Sequence, residues 1–185
     1  MPAIYSLRAT LAEEAAMRVL APPGILGGLQ RWQRGRLRAL APVYIPYCLY
    51  KIVINDRGAQ AERYYAVDAA CGILDPYEFS TPPEVVEVTT RNALPMMVDE
   101  RQTRERAIEK IRRHLYSTGF FRLRNPAIAA ELTGPEFHVP YWVGFLGTER
   151  DVKIMVVDAV RHRVEGGKVR LLLQEWLMDG SKVSS

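Results

Sequence analysis

A chain of 185 residues has room for one domain or two small ones, and its 48% hydrophobic and 25% charged content excludes a disordered tail. The 25 basic and 21 acidic side chains leave a formal charge of +4, which favours anionic partners mildly and falls far short of a dedicated nucleic-acid binder. No run approaches the roughly 18 apolar residues of a membrane-spanning helix, and the N-terminus lacks the basic, apolar and small-residue succession of an export signal, so a cytoplasmic setting is expected.

In chain order, Ile4 to Leu7 reads as a short strand, and Leu11, Ala12, Ala15, Ala16, Val19 and Leu20 form an apolar face at helical spacing. Thr10 with Glu13 predicts an N-cap and capping box for that helix. The interval Ala15 to Asn55 contains Arg18, Arg31, Arg34, Arg36, Arg38 and Lys51 without an acidic residue, and its centre sets Arg31, Arg34, Arg36 and Arg38 around Trp32. A strand follows with two apolar faces, Tyr44, Cys48, Tyr50, Ile52 and Ile54 on one and Ile45, Tyr47, Leu49 and Val53 on the other, so it should be covered on both sides. The turn chemistry of Asn55-Asp56-Arg57-Gly58 leads to a second strand ending at Tyr64-Tyr65-Ala66-Val67-Asp68-Ala69.

Pro76, Pro82, Pro83 and Pro95 mark irregular backbone and place a boundary near residue 80. Beyond it, Glu84 to Thr90 reads as a strand, and Ala107, Ile108, Ile111 and Leu115 as a helix face with Thr103 as its N-cap. A hairpin then runs from Phe137 to Ala159 around Gly147-Thr148-Glu149-Arg150, and Val169 to Met178 fits a closing strand or a short helix equally well. Pro46 and Pro140 cannot donate to a ladder, which predicts a strand start, an edge or a bulge at each.

The second half answers the first. Val43-Tyr44-Ile45-Pro46-Tyr47 is matched by Phe137-His138-Val139-Pro140-Tyr141, with the prolines 94 positions apart, and Tyr64 to Ala69 is matched by Ile154 to Ala159, with Asp68 and Asp158 90 positions apart. The difference of four falls in the hairpin turn. The expected fold is α+β: two tandem repeats over residues 1–80 and 81–185, each an amphipathic helix on an antiparallel hairpin or small curved sheet. Modules this small should pack on each other as one pseudo-symmetric unit.

At the hairpin, Tyr50-Lys51-Ile52-Val53-Ile54 followed by Tyr64 to Leu74, with its Val67-Asp68-Ala69-x-x-Gly72 element, resembles PepSY and related cystatin-like domains. The resemblance implies helices on antiparallel strands and says little of function. The chain departs from that pattern in its longer connection before the first strand and in His162, which stands where the first copy has Gly72.

Candidate chemistry is sparse. Arginine forks and an indole suit phosphate, carboxylate or a base, which makes Arg31, Trp32, Arg34, Arg36 and Arg38 the candidate binding segment, against a solvated basic loop with Trp32 packed inward. Asp68 and Asp158 with Tyr47 and Tyr141 are the alternative, a pocket with a carboxylate base and hydroxyl donors, against aspartates that accept backbone N–H groups in turns. His114, His138 and His162 form no close-spaced metal motif. Cys48 and Cys71 lack a zinc or disulfide framework, and free, buried or half-buried thiols are expected; a bridge across the hairpin is the competing arrangement, disfavoured in a reducing cytosol. Gly24 to Gly28 and Gly166-Gly167-Lys168 lack the Lys-Ser/Thr of a phosphate loop.

These residues favour a non-enzymatic binding or interaction module acting through sheet edges or the basic segment, with a protein, a peptide or a second copy as partner and no cofactor. The alternatives are a small-ligand binder or enzyme with a cavity between helix and sheet, and weak nucleic-acid binding through Arg31 to Arg38.

Overall fold

The computed structural model describes residues 1–23, 35–56, 59–117, 127–148 and 151–183. The elements are β1 (Ala3–Leu7), α1 (Glu13–Leu20), β2 (Leu37–Asp56), β3 (Ala59–Asp68), β4 (Tyr77–Phe79), β5 (Val85–Thr89), α2 (Glu100–Ser117), β6 (Ala127–Leu132), β7 (Phe137–Gly147), β8 (Val152–Asp158) and α3 (Gly167–Val183). The eight strands among the described residues belong to one sheet in the order β4-β3-β2-β7-β1-β5, with β6 also on β2 and β8 on β7. The molecule is therefore α+β and dominated by strands. Among the described residues no helix is long and apolar enough to cross a membrane.

The sheet is organised by β2, whose 20 residues change partner along their length. Its first half runs antiparallel to β7, with Tyr44 opposite Pro140, Ile45 opposite Val139 and Pro46 opposite His138. Its second half is flanked by β3, from Tyr47 opposite Asp68 onward, and by β6. Strand β8 pairs with β7 from Tyr141 opposite Asp158. Two parallel bridges complete the centre, Ser6 with His138 and Tyr44 with Ala93.

Pro46 and Pro140 stand inside the two central strands, not at a start or an outer edge. Tyr44 receives Leu94 N–H at its carbonyl and donates to Asn92 C=O, and Pro46, two residues on, faces the same edge. Its carbonyl accepts Ala69 N–H at 2.8 Å, while its absent N–H falls between the bridge and the β3 ladder, where no acceptor waits. Pro140 repeats this between the Ser6 bridge and β8, accepting Ala159 N–H at 3.1 Å. A change of partner therefore accommodates the prolines without a bulge.

Alternation of side chains across the sheet separates two cores. Val43, Ile45, Tyr47 and Leu49 join Val139, Tyr141 and Val143 on one face, covered by Val169 and Leu173 of α3. Cys48, Tyr50 and Ile52 point to the other face, against Ala107 and Ile111 of α2. On that same face α1 sets Ala16 and Leu20 against Leu146, Met155 and Val157. The two apolar faces expected of β2 are thus both covered. Gly144 lets α1 approach, since a Cβ there would lie 2.8 Å from Leu20 Cδ1 and 2.9 Å from Leu37 Cδ1.

The helix caps differ from expectation. At α1 the N-cap is Ala12, with no side-chain cap, and Thr10 Oγ1 instead donates to Ala159 C=O at 3.1 Å. At α2 the capping box is Asp99 with Gln102: Gln102 N–H donates to Asp99 Oδ1 at 2.8 Å and Asp99 N–H to Gln102 Oε1 at 3.3 Å. Thr103 lies one turn inside, fully buried, bonded to Tyr50 Oη at 2.6 Å. The segment Val169 to Met178, undecided from its pattern, is helical within α3.

Candidate functional site

Asp68 and Asp158 end β3 and β8, and both are fully buried. Asp68 Oδ1 accepts Cys71 N–H and Gly72 N–H, each at 2.8 Å, and Oδ2 accepts Leu74 N–H at 2.8 Å. The Cys71 thiol also donates to Oδ1, at 3.3 Å. Asp158 Oδ1 accepts Val160 N–H and Arg161 N–H, each at 2.8 Å, while Oδ2 takes the Tyr77 hydroxyl. Each carboxylate folds the loop that leaves its strand. Gly72 in the first loop has φ 73° and His162 in the second has φ 56°, so the histidine holds a left-handed conformation that glycine holds without steric cost. A hydrogen bond of 2.7 Å between His162 Nε2 and Thr10 Oγ1 ties it in place.

The predicted tyrosines meet in the core. Tyr47 and Tyr141 share a hydrogen bond of 3.1 Å between hydroxyls. Tyr77, which sequence reasoning did not single out, packs edge-on against Tyr47 with ring centroids 5.5 Å apart. Burial pushes the hydroxyls of Tyr47, Tyr77 and Tyr141 above the usual tyrosine range, reinforced for Tyr47 by Tyr141, for Tyr77 by Tyr141 and Asp158, and for Tyr141 by Asp158, against which its hydrogen bonds with Tyr47 and Tyr77 act in the lowering direction. These groups are donors locked in the protonated form, unsuited to proton abstraction at neutral pH. Burial and the Asp68 carboxylate likewise push the Cys71 thiol to about 11, far from a reactive thiolate. Both cysteines are free, Cys48 buried and Cys71 half-buried.

Of the basic segment, Arg31, Trp32 and Arg34 lie outside the described residues, and Arg36 and Arg38 are exposed. His138 is buried on Tyr5 C=O at 3.2 Å. Among the described residues no group of three His, Cys, Asp or Glu is placed to hold a metal ion.

The two aspartate-folded loops and α2 border an open cleft of about 720 Å³. Loop 69–76 contributes Gly72, Ile73, Asp75 and Pro76, the sheet contributes Tyr65 and Glu78, and α2 contributes Arg106, Glu109, Lys110 and Arg113. Arg161 and Lys168 close it from the second loop and the start of α3. Neither aspartate of the predicted pocket lines this space, and neither do Tyr47 and Tyr141. Carbonyls of one loop hold three cations in position: Lys110 Nζ donates to Leu74 C=O, an Arg161 Nη to Pro76 C=O, and Lys168 Nζ to Ile73 C=O at 3.4 Å. The Arg161 guanidinium also lies 3.6 Å from the Tyr77 ring centre, a cation–π contact that joins the cleft to the buried tyrosines. Burial pushes the Lys110 ammonium below the usual lysine range.

Arg106, Glu109, Lys110 and Arg113 share a helix face at spacings of three and four. That charged stripe was the available signal for the cleft. The stripe is visible in the sequence and the cleft is not, because Ile73, Pro76, Arg161 and Lys168 come from distant sequence. No family model, curated protein or solved structure matches this chain, so the resemblance to PepSY and cystatin-like domains rests on the hairpin residues alone.

Proposed function

We propose that this protein is a non-catalytic binding module and that its ligand enters the cleft between α2 and the β3–β4 edge. One observation carries the reading: the carboxylates that could serve as catalytic bases are consumed in folding two loops, and those loops build an open cleft of about 720 Å³, within the size range of small-molecule sites. Ile73, 46% exposed on the rim, provides the test. A thermal-shift panel of cationic, neutral and anionic small molecules should contain members that stabilise the wild type and fail to stabilise Ile73→Trp, which fills the space. A panel without effect, or stabilisation that survives the filling, would contradict the reading.

The module is a duplicated unit in this proposal, residues 1–80 and 81–185 packed as one pseudo-symmetric body. Supporting it, Ile45 pairs with its own counterpart Val139, and Tyr47–Asp68 corresponds to Tyr141–Asp158. The carbonyl of Ala159 accepts Thr10 N–H and Leu11 N–H as that of Ala69 accepts Met97 N–H and Val98 N–H. The bridges Ser6–His138 and Ala93–Tyr44 tie the entry segment of each half to the hairpin of the other. Fragments 1–80 and 81–185 should therefore assemble into a stable one-to-one complex on mixing; two independently folded fragments that ignore each other would refute the arrangement.

A second reading, association through a sheet edge, draws on β5. That strand pairs along one side with β1, and Val85 and neighbouring Tyr5 are 40% and 53% exposed, a template for strand addition. Light scattering tests it, since a monomer at all concentrations excludes self-association.

A further inference from the structure

We propose that the cleft selects organic anions, ligands with a phosphate or carboxylate head and a flat apolar body. The proposal rests on the cleft reading above and adds the chemical class of the ligand. Its first support is the charge balance of the walls. Glu109 is paired with Arg106 at 3.6 Å and with Arg113, Asp75 with Arg163 at 3.0 Å, and Glu78 with Arg63 at 3.7 Å. Every acidic side chain lining the cleft thus already has a cationic partner. Lys110, Arg161 and Lys168 are instead held on the carbonyls of Leu74, Pro76 and Ile73, which orient them without neutralising them.

An ammonium has three donors and a guanidinium five. One carbonyl bond apiece leaves further donors on each of the three groups for the oxygens of an anionic head. Lys110 adds an energetic reason, because its partial burial disfavours the charged form by more than the nearby Asp68 and Asp75 carboxylates favour it, and an incoming anion offsets the remaining penalty. The apolar body has its own surface in Ile73, Pro76 and the Tyr65 ring, which line the same space. Phosphate and carboxylate share this chemistry, and Lys ammonium groups, as point charges, accept either.

Isothermal titration of the full chain with 1-naphthyl phosphate, 1-naphthoate and the neutral 1-naphthalenemethanol tests the proposal. Both anions should bind and the neutral alcohol should bind at least about tenfold more weakly; the tighter anion identifies the preferred head group. Lys168→Gln, at an exposed position, and Lys110→Gln should each weaken the anions about tenfold, whereas Lys153→Gln on β8, the same charge change remote from the cleft, should not. Equal binding of the neutral alcohol, or equal loss with Lys153→Gln, would overturn the anion inference and leave the cleft reading standing. Absence of binding by all three probes would overturn both.

Discussion

Three backbone N–H groups converge on Asp68, and its loss leaves them buried without an acceptor. Asp68→Ala should therefore lower the unfolding free energy by roughly 2–4 kcal/mol, read from urea denaturation. Tyr77→Phe removes the only side-chain donor on Asp158 Oδ2 among the described residues and should cost about 1–3 kcal/mol. The buried hydroxyls also set a pH limit. Tyr65 is pushed up to about 12 by burial and by Glu78, and Tyr47, Tyr77 and Tyr141 are raised as well. The unfolded chain loses its tyrosine protons near pH 10 while the folded chain keeps them, so the unfolded state binds fewer protons and stability falls as pH rises above about 10. Urea midpoints measured between pH 8 and pH 11 should decline over the upper part of that range, less steeply in Tyr47→Phe; a flat profile would contradict the burial argument.

At the scale of elements, hydrophobic spacing located α1, α2, β1, β5 and the hairpin strands because burial on a packed face is a periodic requirement, but it did not reveal β4, β6 or the first residues of β2 from Leu37. Capping was less legible. Thr10 and Thr103 carry the right chemistry for an N-cap, yet tertiary partners claim both: Thr10 is taken by the loop at Ala159, and Thr103 by Tyr50. The cap of α2 falls to Asp99. Asp99→Ala should destabilise the protein by about 1 kcal/mol, whereas Thr10→Ala should leave α1 helicity unchanged and loosen the His162 loop; equal loss of helix by circular dichroism in both variants would contradict the assignment. The prolines were misleading for a related reason. A rule about edges applies to a strand with one partner on each side, and β2 and β7 exchange partners at the proline.

Across the whole molecule, the recurrence of the Pro-Tyr and Asp motifs was visible in one dimension, but the pairing of the strands that carry them was not. Nothing local announces that β1 will pair with β7, or that Tyr44 will meet Ala93. The site suffered most from this gap. Asp68, Asp158, Tyr47 and Tyr141 drew attention as reactive residue types, and burial turned them into joints of the scaffold; Lys110, Arg161 and Lys168 looked like ordinary surface charge until two loops and two helices brought them to one cleft. The central claim is that the loops folded by the aspartates exist to build that cleft. Its most direct test is the map of backbone amide shifts as 1-naphthyl phosphate is titrated into the labelled protein. The predicted result is a contiguous set of changes at Gly72, Ile73, Asp75, Lys110 and Lys168; changes centred on Leu37 to Leu40 or on Val85 to Thr89, with the cleft silent, would contradict it.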